Sequence, residues 1–420
     1  MAPSIVHLAS ELNGGAGIAA LRLHLALQAQ GGKSTLVYAR GQTQAGGNAY
    51  CFHPLSGPVT DLVDKLSDRW HRHRAKPGAS LFSRPTRSAC GIPPQLAAAD
   101  VVHLHWTAKW LDLPALFRAI RQDCPIVLTL HDSCFFTGGC HQTNGCFRYR
   151  QACGSCPQLR MAWPGDPSRS GFLLRQRLYA GRKLFVVPNS RWTASLASGA
   201  SLFKHARVLA PVYPGLDLSI FMPQDRRTCR NLLGLPQDRL VLCAGGADWG
   251  DINKGFPLLL NALQRLPDSV QERMILLAYG SGSLPAKVGQ VSVRHLGYLS
   301  SDRLLAMAYS ASDAYCTPSL METFGMTAVE AMACALPVIA FKTGGLQEIV
   351  RPGETGWLVP EVGSEAALAG ALSDALTHPN HLPALGTKAR RDAEDRFPLE
   401  HTASAYETVY RCALEPRDTA

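Results

Sequence analysis

Apolar residues recur along this chain in short β-like runs separated by stretches of helical spacing. Ser4 to Ala9 carries Ile5, Val6 and Leu8, the turn Asn13-Gly14-Gly15-Ala16-Gly17 follows, and Ile18, Leu21 and Leu25 then repeat as on a helix until Gly31-Gly32. Ser34–Ala39, Val101–His105, Ile126–His131 and Leu184–Ser190 read as further strands, with a helix at Leu113–Arg121. After Pro211-Val212-Tyr213-Pro214-Gly215, which reads as a linker, the alternation restarts. Strands are expected at Leu240–Ala244, Met274–Ala278, Val291–Leu296, Ala314–Thr317 and Val338–Phe341. Helices are expected at Phe256–Leu266, Asp302–Ser310, Met326–Ala335, Ser364–Leu376 and Glu400–Leu414. Strands alternating with helices imply an α/β chain of two doubly wound parallel sheets. The expected boundaries are 1–210, 211–397 and a last helical piece, 398–420.

Composition agrees with a chain that buries cores: 46% of its 420 residues are hydrophobic and 18% charged. No apolar run approaches the roughly 18 residues needed to span a bilayer. The first ten residues lack a basic region ahead of an apolar stretch, so a cytoplasmic location is the expectation. Charge changes the picture more. The net of +10 divides into +15 over residues 1–210 and −5 over the rest. The basic half could face nucleic acid, an anionic membrane or an anionic substrate. Within it, the segment Cys51–Ala99 is the least regular. Arg69 to Lys76, with Leu62, Leu66 and Trp70, reads either as a solvated loop with one amphipathic helix or as an interfacial segment.

Polar residues at strand ends are the first candidates for chemistry, because ligands of open α/β sheets bind beyond the carboxyl ends of the strands. Gly14 to Gly17 offers bare amides at a helix start, for phosphate or simply for a tight turn. His103, His105 and Trp106 end one strand, His131-Asp132 the next, and Asn189-Ser190-Arg191 a third. Lys254-Gly255 follows a loop rich in Asp and Gly. In Ser319–Met332, Glu322 precedes a Gly325 turn and Glu330 lies one turn into the helix that follows. Those carboxylates could hold two hydroxyls of one sugar nucleotide while amides at Phe324, Gly325 and Met326 meet phosphate. A helix cap beside a solvated glutamate fits the spacing as well. Gly344-Gly345 could line the same cleft. Four cysteines cluster as Cys140-x5-Cys146-x6-Cys153-x2-Cys156. Structural zinc, free thiols and disulfides all remain open, with zinc the leading reading in a reducing compartment.

Together the GGxG turn, the LTLHD and PNS strand ends, Lys254-Gly255, Glu322-x7-Glu330 and the run from Ala333 to Gly345 resemble a family 4 glycosyltransferase over nearly the whole chain. The insert at 134–157 resembles a subgroup from exopolysaccharide and colanic-acid-type biosynthesis. The resemblance implies a retaining enzyme of the GT-B fold, two facing Rossmann-like domains with the last helix crossing back onto the N-terminal one. It implies that Glu330 binds the ribose, Glu322 the transferred sugar, and the amides of Phe324 to Met326 the diphosphate that Lys254 neutralises. Gly15 and Gly17 would approach the phosphate, His131 and Asn189 would face the donor, and Gly297-Tyr298-Leu299 would read the base. His103, His105 and Trp106 would lie on the acceptor side. Many family members carry an Arg before the Lys-Gly; here Cys243 to Asp248 holds none, so the clamp would rest on Lys254, amides or a residue such as Arg191.

No Asp-x-Asp pair occurs, in keeping with chemistry that requires no cofactor. The implied activity moves a hexose-type sugar from a UDP or GDP sugar to a glycan or diphospholipid-linked acceptor of cell-surface polysaccharide synthesis. The protein would sit peripherally on the anionic inner membrane face, and no nucleic-acid partner is expected. The competing readings are a GT-B nucleotide-sugar epimerase or hydrolase, and a non-enzymatic protein that binds anionic membrane or nucleic acid.

Overall fold

A computed structural model describes residues 2–41, 48–55, 57–88, 91–377 and 379–416. The chain forms two units, one of residues 1–213 with 402–420, the other of residues 214–401.

In the first unit the elements run β1 (Ser4–Glu11), α1 (Gly15–Ala29), β2 (Lys33–Arg40), β3 (Ala49–Cys51), α2 (Pro58–Arg74), β4 (Val101–Leu104), α3 (Leu113–Ala119), β5 (Ile126–Leu130), α4 (Pro167–Tyr179), β6 (Leu184–Pro188), α5 (Arg191–Ser198) and β7 (Arg207–Val208). All seven strands pair in parallel in the order β3-β2-β1-β4-β5-β6-β7. The central strands are buried on both faces, which is why Ile126–Leu130 and Leu184–Pro188 read as unbroken apolar runs. The order reverses between β1 and β4, the kind of switch point beyond whose carboxyl ends ligands of open α/β sheets bind.

The second unit contains α6 (Arg226–Leu233), β8 (Leu240–Asp248), α7 (Phe256–Gln264), α8 (Asp268–Gln271), β9 (Met274–Ser281), β10 (Lys287–Val288), β11 (Val291–His295), α9 (Asp302–Ser310), β12 (Ala314–Thr317), α10 (Met326–Ala333), β13 (Val338–Phe341), α11 (Leu346–Ile349), β14 (Gly356–Val359), α12 (Glu365–Thr377) and α13 (Leu382–Arg396). Its sheet runs β10-β11-β9-β8-β12-β13-β14, parallel except for the β10–β11 edge pair, and switches between β8 and β12. Both sheets are doubly wound and Rossmann-like, the expected fold class.

The last helix, α14 (Leu399–Leu414), belongs to the first unit from Thr402 onward. Its buried Tyr406, Val409, Tyr410 and Ala413 pack with Ile5, Leu23, Val101, Val127 and Phe185. Two hydroxyls fix its register: Tyr410 Oη lies 2.8 Å from His103 Nδ1, and Tyr406 Oη lies 2.6 Å from Thr129 Oγ1. Among the described residues no helix is long and apolar enough to cross a membrane. Tyr410→Phe leaves a buried imidazole nitrogen without its hydroxyl, a loss of about 1–3 kcal/mol. The urea midpoint should fall with unchanged slope, and an unmoved midpoint would remove this bond from the account of the fold.

Candidate functional site

Two loops at the carboxyl ends of β8 and β12 converge in the second unit. The first carries Asp251, Asn253 and Lys254, the second Ser319 to Phe324. They are tied by Leu320 N–H donating to the Asn253 carbonyl at 2.8 Å. Gly255 has φ +65°, and a Cβ there would stand 2.0 Å from the Pro318 carbonyl oxygen. Only glycine allows both the turn and this approach. The result is an ion pair: Lys254 Nζ donates to Glu322 Oε2 at 2.6 Å, with Lys254 34% and Glu322 16% exposed. Burial opposes the ammonium, but the Glu322 carboxylate outweighs it, and with Asp251 holds Lys254 above its usual range. Gly344 and Gly345 shape the same loop from behind. Gly345 N–H donates to the Glu322 carbonyl at 3.0 Å, and a Cβ on Gly344 would fall 1.7 Å from that oxygen.

Beyond Glu322, Gly325 caps α10 with φ +115° and leaves no room for a side chain, since Leu346 would lie 2.7 Å from its Cβ. Phe324 is buried with its ring edge-on to Phe397 at 5.8 Å, so only its backbone is available to a ligand. Met326 opens α10. Glu330 is buried further along that helix, where Tyr309 Oη donates to its Oε2 at 3.4 Å. Gly297 sits after β11 with φ +72°, its carbonyl accepting from Gly280 N–H at 2.8 Å; Tyr298 beside it is 49% exposed, and Leu299 packs partly buried. All these residues stand at carboxyl ends of one sheet, which places them on one side of it.

The first unit holds the others. Gly15 opens α1 with nothing near its Cβ position, whereas a Cβ on Gly17 would meet the Glu11 carbonyl at 1.7 Å. Gly15 is therefore open to a ligand, and Gly17 is required by packing. Asn189 is buried, its Oδ1 accepting from Thr193 Oγ1 at 3.0 Å beside the Ser190 cap of α5, so its side chain is spent locally. His103 corrects an expectation. The resemblance implies an acceptor-side position for it, yet it is fully buried between Tyr410 and Thr129 Oγ1, which lies 2.7 Å from Nε2. His105, just after β4, is likewise inside, flanked by His7 and His131.

What His105 does instead is join a row of imidazoles. His7 Nδ1 lies 3.1 Å from His105 Nε2, and His105 Nδ1 lies 3.1 Å from His131 Nε2. A neutral imidazole gives one hydrogen bond and accepts one, so the donor direction is shared along all three rings. Burial pushes His7 down to about 3 and His131 down to about 4, and His103 and His105 well below their usual value. His7, His103 and His105 bring nitrogens within 4.8 Å of one another, but these bonds already occupy the facing atoms. His7 was not singled out from the sequence; a histidine inside the apolar run of β1 was the available signal.

After β5, Asp132 accepts from Trp106 Nε1 at 2.8 Å, from Cys134 N–H at 2.8 Å and from His141 Nδ1. His141 Nε2 lies 2.8 Å from Ser83 Oγ. Burial would lower the His141 pKa, but Asp132 and Cys134 raise it to about 10. Trp106, expected on the acceptor side, is partly buried in this network. The four clustered cysteines line one small cavity, although their sulfurs as a set do not come within 4.8 Å of one another.

The neutral histidines make stability depend on pH. Their folded pKa values lie below the unfolded value of about 6.5, so the unfolded chain takes up protons that the folded chain refuses. Stability is full above that value and falls as pH drops toward 4, each buried histidine contributing up to about 1.4 kcal/mol per pH unit. His141 has the opposite sign, and its contribution is lost as pH rises through about 10. The urea midpoint should therefore be lower at pH 5 than at pH 7.5; an equal or higher one would contradict burial of neutral imidazoles.

Comparison with known proteins bears on the second unit first. Residues 237–392 match the family described as glycosyl transferases group 1. A D-inositol 3-phosphate glycosyltransferase of Rhodococcus jostii is 38% identical over 218 residues, 48% of this chain and 47% of that protein. The chain thus spans about half the length of the curated relatives it matches. Among solved structures, sucrose-phosphate synthase of Thermosynechococcus elongatus superposes with TM-score 0.69 at 21% identity, covering 97% of this chain and 98% of that one. Anabaena HepE in complex with UDP and glucose gives TM-score 0.67 at 18% identity, covering 97% and 99%. These likenesses establish the GT-B fold.

Proposed function

Through residues 237–392 the chain belongs to the glycosyl transferases group 1 family, that of the family 4 glycosyltransferases, and we propose that it transfers a hexose-type sugar with retention from a nucleoside diphosphate sugar to a glycan or lipid-linked glycan acceptor. The observation that carries this reading is the Lys254–Glu322 pair beside the start of α10. Departure of a nucleoside diphosphate develops negative charge on phosphate and positive charge on the anomeric carbon, and a site must stabilise both. Lys254 and the amides of Gly325 and Met326 supply positive potential for the first. Glu322 holds the sugar, and Glu330 takes the ribose hydroxyls. The leaving phosphate oxygen accepts the proton of the acceptor hydroxyl on the same face, which gives retention without a bound metal. The UDP and glucose held by HepE support uridine sugars as the first donors to screen, with GDP sugars next.

In an assay of nucleotide release with lipid-linked acceptors present, Glu322→Ala should abolish transfer. Lys254→Ala should lower kcat by about 10²–10³-fold, the usual loss when one donor to a developing anion is removed. Near-normal turnover in Glu322→Ala would overturn the assignment.

The acceptor side we assign to the membrane. Val59, Leu62, Val63, Leu66 and Trp70 form an exposed apolar stripe on α2 at helical spacing, and Arg69, Arg72 and Lys76 are exposed beside it. Arg74 stacks over Trp70 at 3.8 Å. The pairing of apolar stripe and cations fits an anionic lipid surface, as polysaccharide synthesis on a diphospholipid at the inner membrane face would require. The protein should float with anionic vesicles and stay behind with neutral ones or in high salt. Leu66→Asp should abolish flotation while nucleotide release with a soluble acceptor persists; flotation unaffected by that change would remove α2 from the contact.

A further inference from the structure

Between β5 and α4 the chain runs from His131 to Asp166 with a single 3-10 turn, Arg148–Arg150, as its regular structure. A stretch this long without helix or strand is uncommon in a compact domain unless something holds it. It nevertheless buries Phe136 and Tyr149 completely in the core of the first unit, and Cys153 and Cys156 are buried with them. The described residues contain no disulfide to account for that order.

Cys140, Cys146, Cys153 and Cys156 all line one cavity of about 20 Å3. That volume holds one small sphere, the size of a water or an ion, and excludes an organic ligand. The backbone turns toward it at two of the cysteines. Asn144 and Gly145, with φ of 46° and 75°, bring in Cys146; Gly154 and Ser155, with φ of 138° and 45°, reverse the chain between Cys153 and Cys156. Asn144 and Ser155 pay for a left-handed conformation that their side chains rarely adopt. Gly138 N–H donates to Cys153 Sγ at 3.2 Å, the kind of amide–sulfur bond that supports a thiolate ligand. The other clusters of metal-ligating side chains differ. The facing nitrogens of the histidine row and the Asp132–Cys134–His141 group are engaged in hydrogen bonds within the protein, with His7 Nε2 left unpaired, whereas the four cysteines face a gap.

We propose that Cys140, Cys146, Cys153 and Cys156 form a structural zinc site that pins the segment 132–166 to the first unit. Four thiolates suit tetrahedral zinc, with Zn–S near 2.3 Å and therefore sulfurs about 3.8 Å apart. No three of these sulfurs lie within 4.8 Å of one another, so zinc binding would draw the four side chains together across the cavity they line. The site is independent of the sugar-transfer reading, since the four cysteines belong to the first unit and the Lys254–Glu322 pair to the second.

The test uses the full chain, produced with zinc in the medium and purified under reductant without chelator. About one zinc per chain is expected by elemental analysis, released when the thiols are titrated with a mercurial. Cys153→Ser/Cys156→Ser should lose the metal, whereas Cys334→Ser, at a buried cysteine of the second unit, should keep it. Should the double variant fail to fold, protein grown with cobalt decides: a tetrahedral thiolate spectrum supports the site, and its absence overturns it. Metal-free protein whose four thiols all react in the native state would overturn it too. So would a mass lighter by four hydrogens, which marks two disulfides.

Discussion

One charge balance governs the second unit. Lys254 and Glu322 are 68 residues apart, and they meet only because two loops are laced together where β8 and β12 end. The lacing is backbone work: Leu320 to Asn253, Gly345 to Glu322, and glycines at 255 and 344 where any Cβ would strike a carbonyl. An ion pair held this way is costly to desolvate and cheap to reorganise, because both partners already have defined positions. On the proposed function, an arriving diphosphate would compete with Glu322 for Lys254, and the carboxylate would become available to sugar hydroxyls as the ammonium turned to phosphate, so that donor binding and the release of Glu322 would be one event.

The first unit rests on the opposite solution, polar groups kept neutral. Its sheet carries His7 on β1 and His103 on β4, with His105 just after β4, where apolar residues would be ordinary, and α14 supplies two tyrosine hydroxyls from the far end of the sequence. The hydroxyls satisfy nitrogens and oxygens that water cannot reach. This makes α14 part of the sheet's polar interior as well as of its apolar packing. The row ending at His131 then couples the interior to the carboxyl end of β5. The tautomers of His131, His105 and His7 are coupled, since a donor on one ring requires an acceptor on the next.

Most strands were legible because a strand buried on both faces needs an unbroken apolar run, and few other segments have one. Edge strands β3, β7 and β10 escaped because two or three residues make no pattern, and β14 because it opens on Gly356 amid polar turns. Helices α4, α6 and α13 carry many charges and so lacked a clear apolar stripe. At the site, Gly325 and Glu322 were readable from their local turn. The ion pair was not, since nothing in a spacing of 68 residues reports contact. The burial of His103 is illegible in the sequence for a related reason. A histidine at a strand end looks available to ligand until a helix from residue 399 onward is known to cover it.

The net charge of the N-terminal half overstates what a partner would feel. Arg22, Arg175 and Arg182 are buried, and Arg182 is spent on the carbonyls of Ile120 and Arg121. Arg84 and Arg87 are engaged by Asp64, and Arg87 also by Asp68. Those carboxylates lie on α2 itself and turn that helix's inner face against the unit, which leaves Arg69, Arg72 and Lys76 facing outward next to the apolar stripe. Pairing and burial thus remove part of the +15 from the surface, and on α2 they leave three exposed cations beside an apolar stripe. That is a geometry suited to a flat anionic surface, because such a surface is felt within a Debye length of about 8–10 Å, and only cations presented together on one face can use it.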